Sequence, residues 1–272
     1  MRECFIFRTH KIDESHKLSV LKYKEDLKNS KDCDLVVSLN INLNEDNVDK
    51  IIEWWSLVCI QNQITLVVFY DKDIREKCPF YQNAWLHSQY CFTSSYEILK
   101  EKDLIYDFYW FIEYDAKPTG SIKEIIYHHR VNSADLIGSF INSYKRDSVW
   151  FWWNENPIHL DVILEKRWKY FPALTRLSQR FLEKLVEDCK QYYSVVESFI
   201  PTMCVKHFGK YSLHNLDAKF WVEYDKFDSL KAPLTLRFTP PYSNDQDFED
   251  KIKPSYQTSP NYTSNKLFHP IK

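Results

Sequence analysis

Residues Ile64 to Tyr70, ITLVVFY, are apolar or β-branched from end to end. A strand with one face in water alternates apolar and polar residues. An unbroken run of this kind belongs to a strand covered on both faces, the situation of a parallel sheet held between helix layers. Cys4–Phe7, Asp34–Leu39 and Phe108–Ile112 read as further strands. Between them lie helical patterns. One is capped by Asp13 or Ser15 and runs to about Asn29, one runs from Asp46 through Trp54, Trp55 and Val58, and a short one spans Tyr96–Lys102. Strands alternating with helices predict an α/β fold with a mainly parallel sheet.

Such sheets bind ligands just beyond the carboxyl ends of their strands. Two stretches meet that condition. Arg8, Thr9, His10 and Lys11 follow the first strand, and Glu113-Tyr114-Asp115 follows the fourth. In an extended segment residues i and i+2 point the same way. Glu113 and Asp115 can then share a hard cation, or one can hold metal while the other holds a ribose hydroxyl. The alternative is a polar strand end, solvated or capping a helix that starts at Ser121. The letters EYD recur at Glu223–Asp225, where mixed charge follows and a solvated edge or hairpin is the better reading.

The rest of the chain is expected to hold a helix at Ser121–His128 and a strand at Ala134–Phe140. An aromatic run follows at Trp150–Trp153. Next come a long helix over Leu174–Lys190 and a helix over Tyr193–Phe208, interrupted at Pro201. His128 and His129, adjacent on a helix, face apart and read as surface. Beyond Ala232 the chain turns rich in proline, Ser, Asn and Asp, and an irregular tail is expected.

Glycine use narrows the chemistry. The chain has three glycines, Gly120, Gly138 and Gly209, in 272 residues. No two are close enough for a GxGxxG turn or a Walker A loop. A diphosphate bound here needs a metal or basic side chains instead of a glycine cradle. The 36 basic and 38 acidic residues leave a net charge of -2, which argues against a nucleic acid polymer as partner. Seven cysteines without a CxxC pair read as reduced, buried thiols. The amino terminus lacks the apolar core of a signal peptide, and no run reaches the ~18 apolar residues of a membrane helix. The expectation is a cytoplasmic protein, with peripheral association at the inner face of a membrane through exposed aromatics still open.

The block Trp110-Phe111-Ile112-Glu113-Tyr114-Asp115, with Ala116-Lys117-Pro118-Thr119-Gly120 behind it, resembles the DXD region of GT-A-fold glycosyltransferases. The order of further pieces extends the resemblance over most of the chain: Ala134–Ile137, the Trp-rich run, Phe171–Ser178, Glu197–Thr202 and Leu267–Pro270. The resemblance implies a GT-A-like (Rossmann-like) single domain over 1–272. A nucleotide-sugar-binding half would occupy 1–120 and an acceptor-binding half 121–231, with the tail 232–272 returning to the active site. It implies Mn²⁺ or Mg²⁺ on Asp115, completed by His269. A donor, first expected to be a UDP-sugar, would meet Arg8, Thr9, Glu113, Asp115 and Lys272. The resemblance implies that Glu113 contacts metal-bound water or the ribose, although Glu113 stands where the family pattern has the shorter Asp. The acceptor would be a glycan, such as a surface polysaccharide or lipooligosaccharide.

An inverting transfer also needs a base beside the acceptor hydroxyl. Glu197 lies on the apolar stretch Val195–Ile200, where a carboxylate is costly unless used or paired, with Arg176 or Arg180 as the pairing alternative. Trp152, Trp153 and Arg176 are the expected acceptor contacts. Two rival readings remain. One is a carbohydrate-binding protein that uses the Trp groove without catalysis. The other is a metal-dependent nucleotidyltransferase, for which more clustered carboxylates are expected.

Overall fold

The computed structural model describes residues 1–42, 47–78, 81–83, 86–153, 159–220 and 265–269. The chain begins with strand β1 (Glu3–Thr9), helix α1 (Glu14–Leu27), β2 (Cys33–Ile41), α2 (Val48–Gln61), β3 (Thr65–Tyr70) and α3 (Asp71–Lys77). It continues through α4 (Gln89–Glu101), β4 (Phe108–Ile112), β5 (Lys117–Pro118), α5 (Ile122–His129) and β6 (Leu136–Ser143). Strand β7 (Trp168–Ser178), α6 (Gln179–Gln191), α7 (Val196–Phe208), β8 (Leu213–Asn215) and β9 (Leu267–Phe268) complete it.

The main sheet has the order β3-β2-β1-β4-β7-β6-β8. Strands β3, β2, β1 and β4 are mutually parallel, and β7 runs antiparallel to both β4 and β6. The chain leaves β1 toward β3 on one side and returns to place β4 on the other. The carboxyl ends of β1 and β4 therefore flank a topological switch point, where open α/β sheets leave a crevice.

Residue alternation along each strand builds a core on both faces. Phe5, Phe7, Val37, Trp110 and Ile112 point to the layer of α1, α2 and α5. Cys4, Ile6, Val36, Tyr109 and Phe111 point to the layer of α4, α6 and α7. All five residues of β4 are buried, as expected of a central strand with helices on both sides. The seven cysteines are buried and form no disulfide. No helix among the described residues is long and apolar enough to cross a membrane.

Three sequence expectations are corrected. Leu174–Ser178 is strand, not the start of the long helix. Leu174, Leu177, Phe181 and Leu185 carry helical spacing, yet β7 has a partner strand on either edge, and that pairing outweighs local periodicity. The helix begins only after Ser178, whose side chain accepts from the Phe181 amide as its cap. The helix predicted from Tyr193 starts at Val196 and continues through Pro201 to Phe208. Asp71–Lys77, unassigned in the sequence reading, is helix. His129 is not at the surface: it is 2% exposed and its Nε2 accepts from the Asp217 amide at 3.3 Å. Burial, reinforced by His128 and His214, holds its imidazole down to about 3. The second EYD lies outside the described residues.

Candidate active site

The crevice at the switch point is a cavity of about 510 Å³, within the ~300–1,000 Å³ range of ligand pockets. Each of the four parallel strands β1 to β4 supplies residues from its carboxyl end. Arg8, Thr9 and His10 come from β1, Asn40 and Asn42 from β2, Asp71 from the end of β3, and Glu113 to Asp115 from β4. The far wall comprises Trp152, Phe171, Pro172, Val196 and Glu197.

The turn after β4 sets the carboxylates. Glu113 prolongs the ladder to β7 through its amide to the Ala173 carbonyl at 3.1 Å, and the Ala116 amide closes a turn on the Glu113 carbonyl at 3.0 Å. Tyr114 packs its ring against His10 at 5.0 Å and His16 at 4.9 Å. Antiparallel pairing of β9 with β5 brings His269 to the same place. Its Nε2 lies 3.0 Å from Glu113 Oε2 and 3.3 Å from Asp115 Oδ1. The Phe171 ring packs edge-on against the imidazole at 5.0 Å.

This trio suits a divalent cation. One ligand atom from each of Glu113, Asp115 and His269 lies within 4.8 Å of the others. Two carboxylates and an imidazole form an oxygen–nitrogen set of the kind that accepts Mn²⁺ or Mg²⁺. Electrostatics point the same way. Burial disfavours a charged imidazole here, but hydrogen bonds and charge from Asp115 and Glu113 outweigh it and raise His269 to about 10. The carboxylate pair thus attracts a cation strongly enough to keep a buried imidazole protonated.

Arg8 adds fixed positive charge. Its Nη1 lies 3.6 Å from Glu113 Oε1, and its guanidinium sits over the Phe92 ring at 4.8 Å. That Nη1 is buried and makes no hydrogen bond among the described residues. A donor so placed fits a phosphate oxygen. Thr9 lines the cavity, but its hydroxyl is engaged with His16 Nδ1 at 3.0 Å.

Glu197 opens the first turn of α7 and faces the cavity. Burial raises its carboxyl to about 7. Its own backbone amide offsets this slightly, and the charge of Glu113 adds to it. Neither arginine offered as a partner pairs with it. Arg180 grips Asp135 with two bonds of 2.6 Å. Arg176 is fully buried and donates to the carbonyls of His129, Asn132 and Ala134 at 2.9, 2.6 and 3.0 Å.

Arg176 is therefore a correction as an acceptor contact. It ties β7 to the α5–β6 connection away from the cavity. Trp153 is a second correction: it is 1% exposed, and its indole Nε1 donates to the Asp147 carbonyl. Trp152 does line the cavity. Lys272 lies outside the described residues.

Sequence reasoning missed one polar network. Asp71 Oδ1 accepts from Asn40 Nδ2 and from the Tyr81 hydroxyl, each at 2.8 Å. Applying the carboxyl-end rule to β2 and β3 would have found Asn40, Asn42 and Asp71. Nothing in the sequence marks Asn83, which reaches the cavity from an irregular segment.

No family model matches the chain, and no curated protein does. Among solved structures, the chain is similar to the galactosyltransferase LgtC in complex with donor and acceptor sugar analogues. The identity is 7% over 98% of this chain and 87% of that one, with a TM-score of 0.45. It is similar to mouse xyloside xylosyltransferase 1 at 9% identity over 97% and 96% of the two chains, TM-score 0.43. It is similar to the mannosyltransferase PcManGT from Pyrobaculum calidifontis, in complex with GDP-Man and Mn²⁺, at 11% identity over 68% and 46%, TM-score 0.38.

Proposed function

We propose that this chain is a metal-dependent glycosyltransferase that moves a sugar from a nucleotide-sugar donor to an acceptor hydroxyl of a glycan. The observation that carries the reading is the convergence of Glu113, Asp115 and His269 at the carboxyl end of β4, in one cavity with Glu197. The WFIEYD resemblance agrees with it. The scarcity of glycine leaves these side chains and Arg8 to hold a diphosphate.

Glu113, Asp115 and His269 would hold Mn²⁺ or Mg²⁺, which when bound acts as a Lewis acid on the leaving diphosphate. Arg8 pairs with a phosphate oxygen from the β1 side. Trp152, Phe171 and Pro172 form an apolar wall against which an acceptor sugar can stack. Glu197 takes the acceptor hydroxyl proton as that oxygen bonds to the anomeric carbon and the bond from this carbon to the phosphate oxygen breaks. The nucleoside diphosphate departs with that electron pair. A carboxyl raised to about 7 suits this role, since a base works best with its pKa near the working pH. This assignment makes the transfer inverting.

Thermal-shift titration with UDP-, GDP- and CMP-sugars, with and without Mn²⁺, tests the reading. Metal-dependent stabilisation by one nucleotide-sugar, followed by release of its nucleoside diphosphate on adding acceptor, is the expected result. Stabilisation by free glycan alone, indifferent to metal and nucleotide, would instead mark a carbohydrate-binding protein.

A further inference from the structure

His269 reaches the candidate metal centre on a very short support. The pairing of β9 with β5 covers only Lys117↔Phe268 and Pro118↔Leu267. A two-stranded ribbon of this size is marginal by itself. A stronger fixture lies four residues before His269. The Asn265 side chain is 1% exposed and uses both ends of its amide. Its Oδ1 accepts from the Gly120 amide at 3.0 Å. Its Nδ2 donates to the Ser121 carbonyl at 2.7 Å and to Glu124 Oε2 at 3.1 Å. Thr119 adds a reciprocal pair with Lys266: its amide donates to the Lys266 carbonyl, and its hydroxyl accepts from the Lys266 amide, both at 2.8 Å.

Gly120 explains how Asn265 fits. A Cβ there would stand 2.7 Å from Asn265 Cγ and 2.9 Å from its Cβ. Gly120 is not among the residues of positive φ, so its backbone does not require glycine. The missing side chain is what matters, because it leaves a socket that Asn265 fills.

We infer that Asn265, seated in the Gly120 socket, is the positioning residue that delivers His269 to the metal centre. This rests on the metal-dependent reading above. Among the described residues, the Asn265 side chain bonds to Gly120, Ser121 and Glu124 and to neither carboxylate ligand. Its effect would pass through the backbone, since Asn265 anchors the chain from which β9 carries the imidazole to the centre. The turn that begins α5 has its own cap, since Ser121 Oγ accepts from the Lys123 amide at 3.2 Å. Loss of Asn265 therefore leaves that cap in place.

The test uses the full chain without donor or acceptor. Mn²⁺ affinity is measured by calorimetry, and the imidazole nitrogen coupling to bound Mn²⁺ by pulsed electron paramagnetic resonance. Both are read well below the melting temperature of each variant. Wild type should show the coupling, and His269→Ala should lose it. Asn265→Ala should lose it too and bind Mn²⁺ about 10- to 100-fold more weakly. Should Asn265→Ala fail to fold, Gly120→Ala closes the socket without straining the backbone and keeps the Asn265 side chain, and should show a weakened coupling. Coupling and affinity unchanged in the folded variant would overturn the positioning role while leaving the metal reading intact. Wild type that binds no Mn²⁺, or binds it without nitrogen coupling, would overturn the delivery of His269 as a ligand.

Discussion

His269 Nε2 stands 3.3 Å from Asp115 Oδ1, joining a two-residue strand late in the chain to the turn after the central strand β4. Glu113 Oε2 approaches the same nitrogen at 3.0 Å, and the two carboxylates together raise the imidazole pKa to about 10. A divalent cation bound there must displace the imidazolium proton, because an imidazole ligates through a neutral nitrogen. Mn²⁺ binding at neutral pH is expected to release about one proton. Calorimetry in buffers of different ionisation enthalpy measures it, and an enthalpy independent of buffer would contradict it.

Asp115→Asn removes one charged ligand and keeps the shape. Activity should fall by at least about 100-fold, and Mn²⁺ should no longer raise the thermal midpoint. Circular dichroism should be unchanged. Full turnover in this variant would remove Asp115 from the centre.

Glu197 makes a prediction about both pH and stability. Its folded pKa, about 7, is above the ordinary carboxyl value of 4.5. Folding therefore favours the protonated form, and that contribution is lost as pH rises from about 4.5 through 7. Glu197→Gln should be more stable than wild type above pH 7, by on the order of 1–3 kcal/mol, and close to equal at pH 4. Transfer should drop about 100-fold or more, since the base is gone. Wild-type turnover should decline as pH falls below about 7. A variant with normal turnover but the expected stability change would leave Glu197 as a buried carboxyl without a catalytic role.

Neighbouring tryptophans should separate cleanly. Trp152→Ala should raise the acceptor KM with little change in melting, because Trp152 lines the cavity. Trp153→Ala empties a core site and should cost about 3–5 kcal/mol, with kinetics per folded molecule nearly unchanged. The reverse pattern would exchange their roles.

Arg176→Met should be destabilising by about 3 kcal/mol or more. It leaves three backbone carbonyls and the nearby buried Glu3 without their cation. The thermal midpoint should fall by on the order of 10 °C, with acceptor KM unchanged. A shift in KM without loss of stability would restore Arg176 to the acceptor side.

How much of the site was legible follows from where each residue sits. Glu113 and Asp115 could be found because a five-residue apolar strand runs directly into them, and a chain emerging from such a strand must present its next residues at the sheet edge. Arg8 was found by the same rule. Asn40 and Asp71 satisfy it equally, but Asn and Asp after a strand also read as ordinary turn residues. Arg176 and Trp153 misled because their neighbours, a Leu-spaced segment and an aromatic run, carried no mark of which side faces the core.

By itself the sequence determined the alternation of strand and helix, the burial of β4 on both faces and the placing of two carboxylates just past its end. These are local consequences of side-chain period, and period survives in the letters. The tertiary structure decided the rest. The Leu174–Ser178 segment became strand because two partner strands were available, and Arg176 went inward because three carbonyls converged on it. His269 met Asp115 because β9 pairs with β5. Each outcome depends on pairing between residues distant in the chain, and no local pattern encodes a partner's position.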